Sequence, residues 1–199
     1  LKYIDNLILG GSNVSDFLSS KILSKIDTYY ETYGMTETAT HIAVKKVSRN
    51  DSKPKPFKIL NGVNISTDLN SCLVIDVPSI TKNKIITNDI VKINSNQEFY
   101  IIGRADNIIN SGGVKLIPED IERNLSKYIY KNYIISSLKD DVLGDKLILI
   151  IESEKYKLKD NIFNSLNKFE KPKEVYFINK FIYTESNKID RINTKLTIN

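Results

Sequence analysis

The chain has 199 residues, 41% hydrophobic and 27% charged, enough apolar material for a packed core and too much for a disordered tail. Its 29 Lys+Arg against 24 Asp+Glu leave a net charge of +5, a mildly basic balance that suits an anionic ligand without indicating nucleic acid. The single cysteine, Cys72, excludes an internal disulfide framework and any multi-cysteine zinc site, making a reducing cytoplasm the default, and no apolar run approaches the roughly 20 residues that span a bilayer.

Residues 7–9 read as a short apolar strand stopped by Gly10-Gly11. Val14, Phe17, Leu18, Ile22 and Ile26 then recur at helical spacing, which predicts an amphipathic helix over 14–26. Aromatic and β-branched residues crowd 26–33, predicting a strand that ends at Gly34. Strand, helix, strand with glycines at the turns is the pattern of an αβ layer, here the edge of a larger parallel sheet. After the extended Lys53-Pro-Lys-Pro56 linker the pattern shifts to short strands at 57–60, 71–77, 84–87 and 98–102. Asn61-Gly62 and Asn94 to Asn96 supply turns, so a small antiparallel sheet or barrel is expected.

Another unit starts near Asp106. Pro118 stands where a first-turn proline belongs, with Ile121, Leu125, Tyr128 and Ile129 on one face, which predicts a helix over 118–129. Strands are expected at 133–138 and 147–151 around a turn at 140–145. A helix through Leu158, Ile162, Phe163, Leu166 and Phe169, closed by Pro172, and a strand at 175–178 follow. The fold class is therefore α/β plus α+β: residues 1–104 end a larger domain, and residues 105–199 form a small α+β domain.

Chemistry concentrates beside strand ends. In Tyr29-Tyr-Glu-Thr-Tyr-Gly-Met-Thr-Glu37 the backbone at Gly34 can approach a planar ligand while the Tyr33 ring stacks on it. Thr36 offers a hydroxyl to a phosphate and Glu37 a hard oxygen to Mg²⁺; the plain alternative is an exposed turn. Thr87-Asn-Asp89 follows one strand and Gly103-Arg-Ala-Asp106 another. A carboxylate there can take two hydrogen bonds from a ribose diol, with an arginine beside it, although Asp89 also suits a turn cap and Arg104 a surface ion pair.

Together these stretches resemble the adenylate-forming superfamily of acyl-CoA ligases, peptide-synthetase adenylation domains and luciferases. The resemblance is carried by Tyr33-Gly-Met-Thr-Glu37, Thr87-Asn-Asp89, Gly103-Arg-Ala-Asp-Asn-Ile-Ile-Asn-Ser-Gly-Gly113, Pro118-Glu-Asp-Ile-Glu122 and Asn187-Lys-Ile-Asp-Arg191, in family order. Within it, Gly34-Met-Thr-Glu-Thr-Ala-Thr-His41 and Asn107-Ile-Ile-Asn-Ser-Gly-Gly-Val-Lys115 are most similar to the o-succinylbenzoate–CoA ligases of menaquinone biosynthesis.

The resemblance implies ATP, Mg²⁺ and coenzyme A as co-substrates and cofactor, and a small carboxylic acid as substrate. It assigns nucleotide binding to Gly11, Ser12, Thr32, Tyr33, Gly34, Met35, Thr36, Glu37, Asp89, Arg104 and Lys188. Glu37 is the implied Mg²⁺ ligand, and Thr36, Glu37 and Lys188 are the implied catalytic groups. Asp106 matches the hinge of a mobile C-terminal lid, and Gly112-Gly113 match a strand that lines the pantetheine tunnel. Ser12 replaces a common alanine, and Asn187 replaces the usual glycine before the lysine, where a positive φ is needed. His41, the sole histidine, is a candidate for the acyl pocket. The family's phosphate loop is expected upstream of these residues, so the chain alone is expected to bind ATP weakly and turn over little. Another acyl-CoA ligase, an amino-acid adenylation domain and a non-catalytic lid fragment remain as alternatives. No nucleic-acid partner or membrane insertion is expected, and homo-oligomerisation is left open.

Overall fold

In the computed structural model, which describes residues 4, 6–94, 97–159 and 161–198, the first unit (Leu1–Ala105) runs β1 (Ile8–Leu9), α1 (Asp16–Leu23), β2 (Thr28–Gly34), β3 (His41–Ser48), β4 (Phe57–Ile59), β5 (Asn64–Thr67), β6 (Cys72–Asp76), β7 (Ile85–Ile93) and β8 (Glu98–Arg104). These strands form one sheet in the order β1-β2-β3-β4-β8-β7-β6-β5. β1 runs parallel to β2, and the pairs from β2 onward are antiparallel. The expected αβ layer and small antiparallel sheet are therefore one continuous surface, stitched together by β4, which pairs with β3 on one side and β8 on the other. Of the expected turn at Asn94 to Asn96, residues 95 and 96 lie outside the described residues.

The helix expected over 14–26 is shorter because serines close it. The Ser15 Oγ accepts the Leu18 N–H at 3.2 Å as N-cap, and Ser24 forms the C-cap. One face of the sheet buries Ile42, Ala43, Leu73, Ile75 and Phe99, with Tyr33 and Phe57 packed among them. Phe57 stacks on Phe99 at 5.6 Å between ring centroids.

The second unit (Asp106–Asn199) contains β9 (Ile109–Ser111), β10 (Val114–Leu116), α2 (Pro118–Leu125), β11 (Tyr133–Asp140), β12 (Gly144–Glu152), β13 (Glu174–Ile178) and α3 (Arg191–Leu196). β12 lies between β11, antiparallel, and β13, parallel. Its Leu147–Ile151 run is buried throughout, as a central strand covered on both faces must be. Ile121 and Leu125 of α2 pack with Leu149 and Ile151 on one face, while Ile134, Ile148, Ile150 and Phe181 fill the other.

The helix expected from Leu158 to Phe169 is not formed by the described residues there. Ile162 and Leu166 are buried as that spacing requires, but Phe169 is 58% exposed, and successive turns replace the helical ladder. Asn161, Asn164, Ser165 and Asn167 are of types whose side chains can compete for backbone groups, a composition that favours turns over helix. Among the described residues no helix is long and apolar enough to cross a membrane.

Candidate active site

In the first unit β2 delivers its residues alternately to two faces. Thr32 and Gly34 face a shallow open cleft of about 510 Å³, which Gly10, Gly11, Met35 and His41 also line. This brings together five of the candidate site residues, Gly11, Thr32, Gly34, Met35 and His41. The close approach is enforced by missing side chains. A Cβ on Gly10 would sit 2.6 Å from Thr32 Oγ1, and one on Gly34 would sit 2.6 Å from the Thr40 carbonyl oxygen. Ser12 lies exposed on the bend after β1, and His41 is exposed at the start of β3.

Tyr33 points to the other face. Its ring stands edge-on to Phe99 at 5.3 Å and tilted to Phe57 at 6.0 Å, and its hydroxyl donates to Asp89 Oδ2 at 2.5 Å. The sequence suggested a ring available for stacking on a ligand. In the structure the ring is half-buried in an aromatic cluster, and its hydroxyl holds a carboxylate. Burial, and then the hydrogen bond to Asp89, raise the Tyr33 pKa well above the ordinary phenol range, so the hydroxyl remains a donor at any working pH.

Asp89 was expected just past a strand end. It lies inside β7 instead, opposite Arg104, the last residue of β8. Directly opposed side chains in an antiparallel pair share a face, and Arg104 Nη1 lies 3.2 Å from Asp89 Oδ1. A register shift follows at Ile90/Val91, and another occurs at Tyr33/Gly34 where β2 meets β3. Such bulges re-aim side chains locally. The Thr87 hydroxyl accepts the Asp89 N–H at 3.1 Å, fixing the carboxylate's base. With one oxygen held by Tyr33 and the other by Arg104, the Asp89 carboxylate still has lone pairs for a vicinal diol.

Thr36 and Glu37 are exposed on the 3-10 turn (Thr36–Thr38) that follows β2. Sequence reasoning missed Thr38, which is fully buried. Its hydroxyl accepts the Met35 N–H at 3.1 Å and lies 2.7 Å from the Thr40 carbonyl oxygen, tying the loop shut; nothing marks it among the three threonines of Thr36-Glu-Thr-Ala-Thr40. Among the described residues, no group of three or more His, Cys, Asp or Glu side chains could hold a metal ion. A lone exposed carboxylate at Glu37 suits Mg²⁺ only where phosphates and water supply the other ligands.

The second unit carries the remaining candidates. Asp106 is exposed on a 3-10 turn, Ala105–Asn107. Gly112 and Gly113 are not strand residues, as the resemblance suggested. They form the two-residue turn joining β9 to β10, with φ of 57° and 80°, the double positive φ of a type I′ hairpin that follows the strands' twist. Lys188 is exposed on a tight loop. The Thr184 N–H donates to the Lys188 carbonyl at 2.8 Å, and the Lys188 N–H donates to Thr184 Oγ1 at 3.1 Å. Asn187 holds φ at 59°, a left-handed turn in which glycine would be the easier residue.

Glu122 and Arg191 lie in two of the motifs that carry the resemblance, which assigns neither of them a role. They meet in a bidentate pair, Nη1 to Oε1 at 2.8 Å and Nη2 to Oε2 at 2.6 Å. Burial pushes the Glu122 carboxyl up, with Arg191 and the Ile135 N–H pulling it back.

This arrangement of sheets is the fold of the adenylate-forming enzymes, and the chain matches their C-terminal part. In particular, it is 24% identical to the 2-succinylbenzoate–CoA ligases of Oceanobacillus iheyensis and of a Geobacillus species, over 94% and 96% of its length. It covers 45% and 46% of those proteins, so the chain spans about half the length of the curated relatives it matches. The solved Bacillus subtilis o-succinylbenzoate–CoA synthetase, in complex with ATP and magnesium ion, superposes with a TM-score of 0.76 at 19% identity, covering 96% of this chain and 46% of that one. An AMP-forming acyl-CoA synthetase-like protein from Dyadobacter fermentans is 32% identical over 98% of this chain and 58% of its own, with a TM-score of 0.50. No protein-family model matches the chain.

Proposed function

We propose that the chain is the C-terminal portion of an AMP-forming acid–CoA ligase that works through an acyl-adenylate, with 2-succinylbenzoate as the acid and menaquinone biosynthesis in the cytoplasm as its setting. The observation that carries this reading is the Asp89 carboxylate, braced by Tyr33 and Arg104 across three strands, which fits a ribose diol. The kinship with 2-succinylbenzoate–CoA ligases supports the choice of acid.

In this reading Asp89 and Arg104 hold the sugar of ATP, the Gly10/Gly34 cleft receives the base and acyl group beside His41, and Thr36 meets the phosphates. A magnesium ion, when bound, neutralises phosphate charge, and Glu37 is the residue that would hold it. The substrate carboxylate attacks the α-phosphorus and pyrophosphate leaves. Two anions approach in that step, so a positive group aimed at the site lowers the barrier, and Lys188 supplies it. The thiol of coenzyme A then attacks the acyl carbon and AMP leaves. Lys188 is unnecessary there, and rotation about Asp106 would exchange it for the Gly112-Gly113 turn.

The test has two arms. Titrating the chain with Mg·ATP should shift the amide resonances of Asp89, Arg104 and Gly34 to Glu37, and Asp89→Ala should abolish the shifts. In a protein of the relatives' full length carrying this chain, 2-succinylbenzoate should release pyrophosphate faster than other acids, and Lys188→Ala should suppress that release. Unchanged adenylation in Lys188→Ala, or no response of the first unit to nucleotide, overturns the reading.

A further inference from the structure

Strand β11 is paired on one side with β12, and the structure shows what occupies its other edge at Ile135. The Ile135 N–H donates to Glu122 Oε1 at 2.7 Å, and its carbonyl accepts from Arg191 Nη1 at 3.2 Å. Carboxylate and guanidinium, already joined to each other, thus take both backbone groups of one residue, as a neighbouring strand would. An unpaired strand edge exposes groups that must find partners, and here the partners are two side chains from elements far apart in sequence. Glu122 comes from α2, and the Tyr133 hydroxyl, donating to the Glu122 carbonyl at 2.7 Å, secures that turn of the helix to β11.

Arg191 is the first residue of α3, three positions after Lys188. The lysine loop is closed on itself by the Thr184 bonds and continues into Asp190, whose N–H donates to the Ile182 carbonyl at 2.8 Å. Arg191 then pins the end of this segment to the sheet. A second carboxylate flanks the same guanidinium: Glu119 Oε1 lies 4.0 Å from Arg191 Nη2 and accepts from the Asn107 side chain, while Glu119 Oε2 is buried without a hydrogen-bond partner. Asn107 directly follows Asp106. Three side chains therefore connect the first residues of this unit to the lysine loop.

We propose that Arg191 and Glu122 are positioning residues for Lys188: their pair, seated on the edge of β11 as a substitute strand, sets where the lysine loop stands and ties it to the segment beginning at Asp106. This rests on the reading of Lys188 as the adenylation lysine. Lysine at position 191 would keep the charge but lose the planar fork that reaches Glu122 and Ile135 together, so it should not substitute.

The test uses Arg191→Gln, Arg191→Lys and the milder Glu122→Gln. In the 199-residue chain, amide exchange at Ile135, Asn187 and Lys188 should accelerate while β6 and β12 stay protected. In a protein of the relatives' full length carrying this chain, kcat for adenylate formation should fall about 100-fold, the scale of a misplacement near 1 Å. The KM for ATP and the rate of thioester formation from preformed acyl-adenylate should hold. Unchanged exchange at Asn187 and Lys188, or an equal fall in both half-reactions, overturns the proposal. Should Arg191→Gln fail to fold, Glu122→Gln answers the same question. Should the unmodified protein form no adenylate, the functional reading falls, and the exchange data alone decide whether the pair positions the loop.

Discussion

Tyr33 and Asp89, 56 residues apart in the chain, meet across the sheet with the tyrosine hydroxyl donating to Asp89 Oδ2 at 2.5 Å. Tyr33→Phe keeps the ring among Phe57 and Phe99 but releases the carboxylate. A hydrogen bond to a charged acceptor contributes about 2 kcal/mol, so the denaturant midpoint of the first unit should fall accordingly. On the proposed reading nucleotide affinity should weaken as well, because the Asp89 carboxylate loses the hydroxyl that holds its Oδ2. Calorimetric titration with ATP, beside equilibrium unfolding, measures both effects.

The two glycines of the cleft should respond differently to the same added methyl. Gly10→Ala meets Thr32 Oγ1 at 2.6 Å, so it should lose about 2 kcal/mol of stability and recover most of it in the Gly10→Ala/Thr32→Ala double variant. Gly34→Ala meets the Thr40 carbonyl oxygen at 2.6 Å and His41 Cα at 2.8 Å, both backbone. No side-chain deletion relieves it, and it should prove the more damaging of the two. Urea unfolding of the four proteins checks the contrast.

Beneath α1, Glu31 is buried and paired with Lys45 at 2.9 Å, and Lys45 lies 4.8 Å over the Phe57 ring. The Tyr29 hydroxyl donates to Glu31 at 3.2 Å and lies 2.9 Å from Ser19 Oγ; burial pushes its pKa up to about 12. Glu31→Ala strands the ammonium and should cost about 3 kcal/mol, whereas Glu31→Leu with Lys45→Met should recover much of the loss. A double-variant unfolding cycle reads the coupling.

Acid should weaken the second unit. The backbone N–H of Asn193, then its side-chain amide, lowers the Asp190 pKa, and the backbone N–H groups of Leu143 and Val142 lower that of Asp140. Groups depressed in the folded chain add stability that is present above their unfolded pKa of about 4 and is lost as pH falls through the folded value. Unfolding midpoints should therefore drop between about pH 5 and about pH 3, and Asp190→Asn with Asp140→Asn should flatten that slope.

Elements with a clean local signal were legible: β1, β2, β6, β8, β11, β12 and β13, and the start of α2 with Pro118 at its first turn, although that helix ends at Leu125 and not at the expected 129. β3 was not, because its burial does not alternate: Ile42 and Ala43 are both buried as the strand bends out of Gly34. β7 was cut short at Thr87 because Asn88-Asp89 reads as a turn, yet the strand continues to Ile93 through a register shift that accommodates it. The helix expected near 158–169 failed in the opposite way: correct apolar spacing overruled by turn-forming asparagines.

Residue order alone determined which chemical groups are present, since short motifs such as Tyr33-Gly-Met-Thr-Glu37 and Asn187-Lys-Ile-Asp-Arg191 record side-chain type and spacing directly. Which groups touch was decided by the tertiary structure. Tyr33 bracing Asp89, and Glu122 and Arg191 closing the edge of β11, depend on strand register and on which face a bulge turns outward, and both are settled only when distant strands pair.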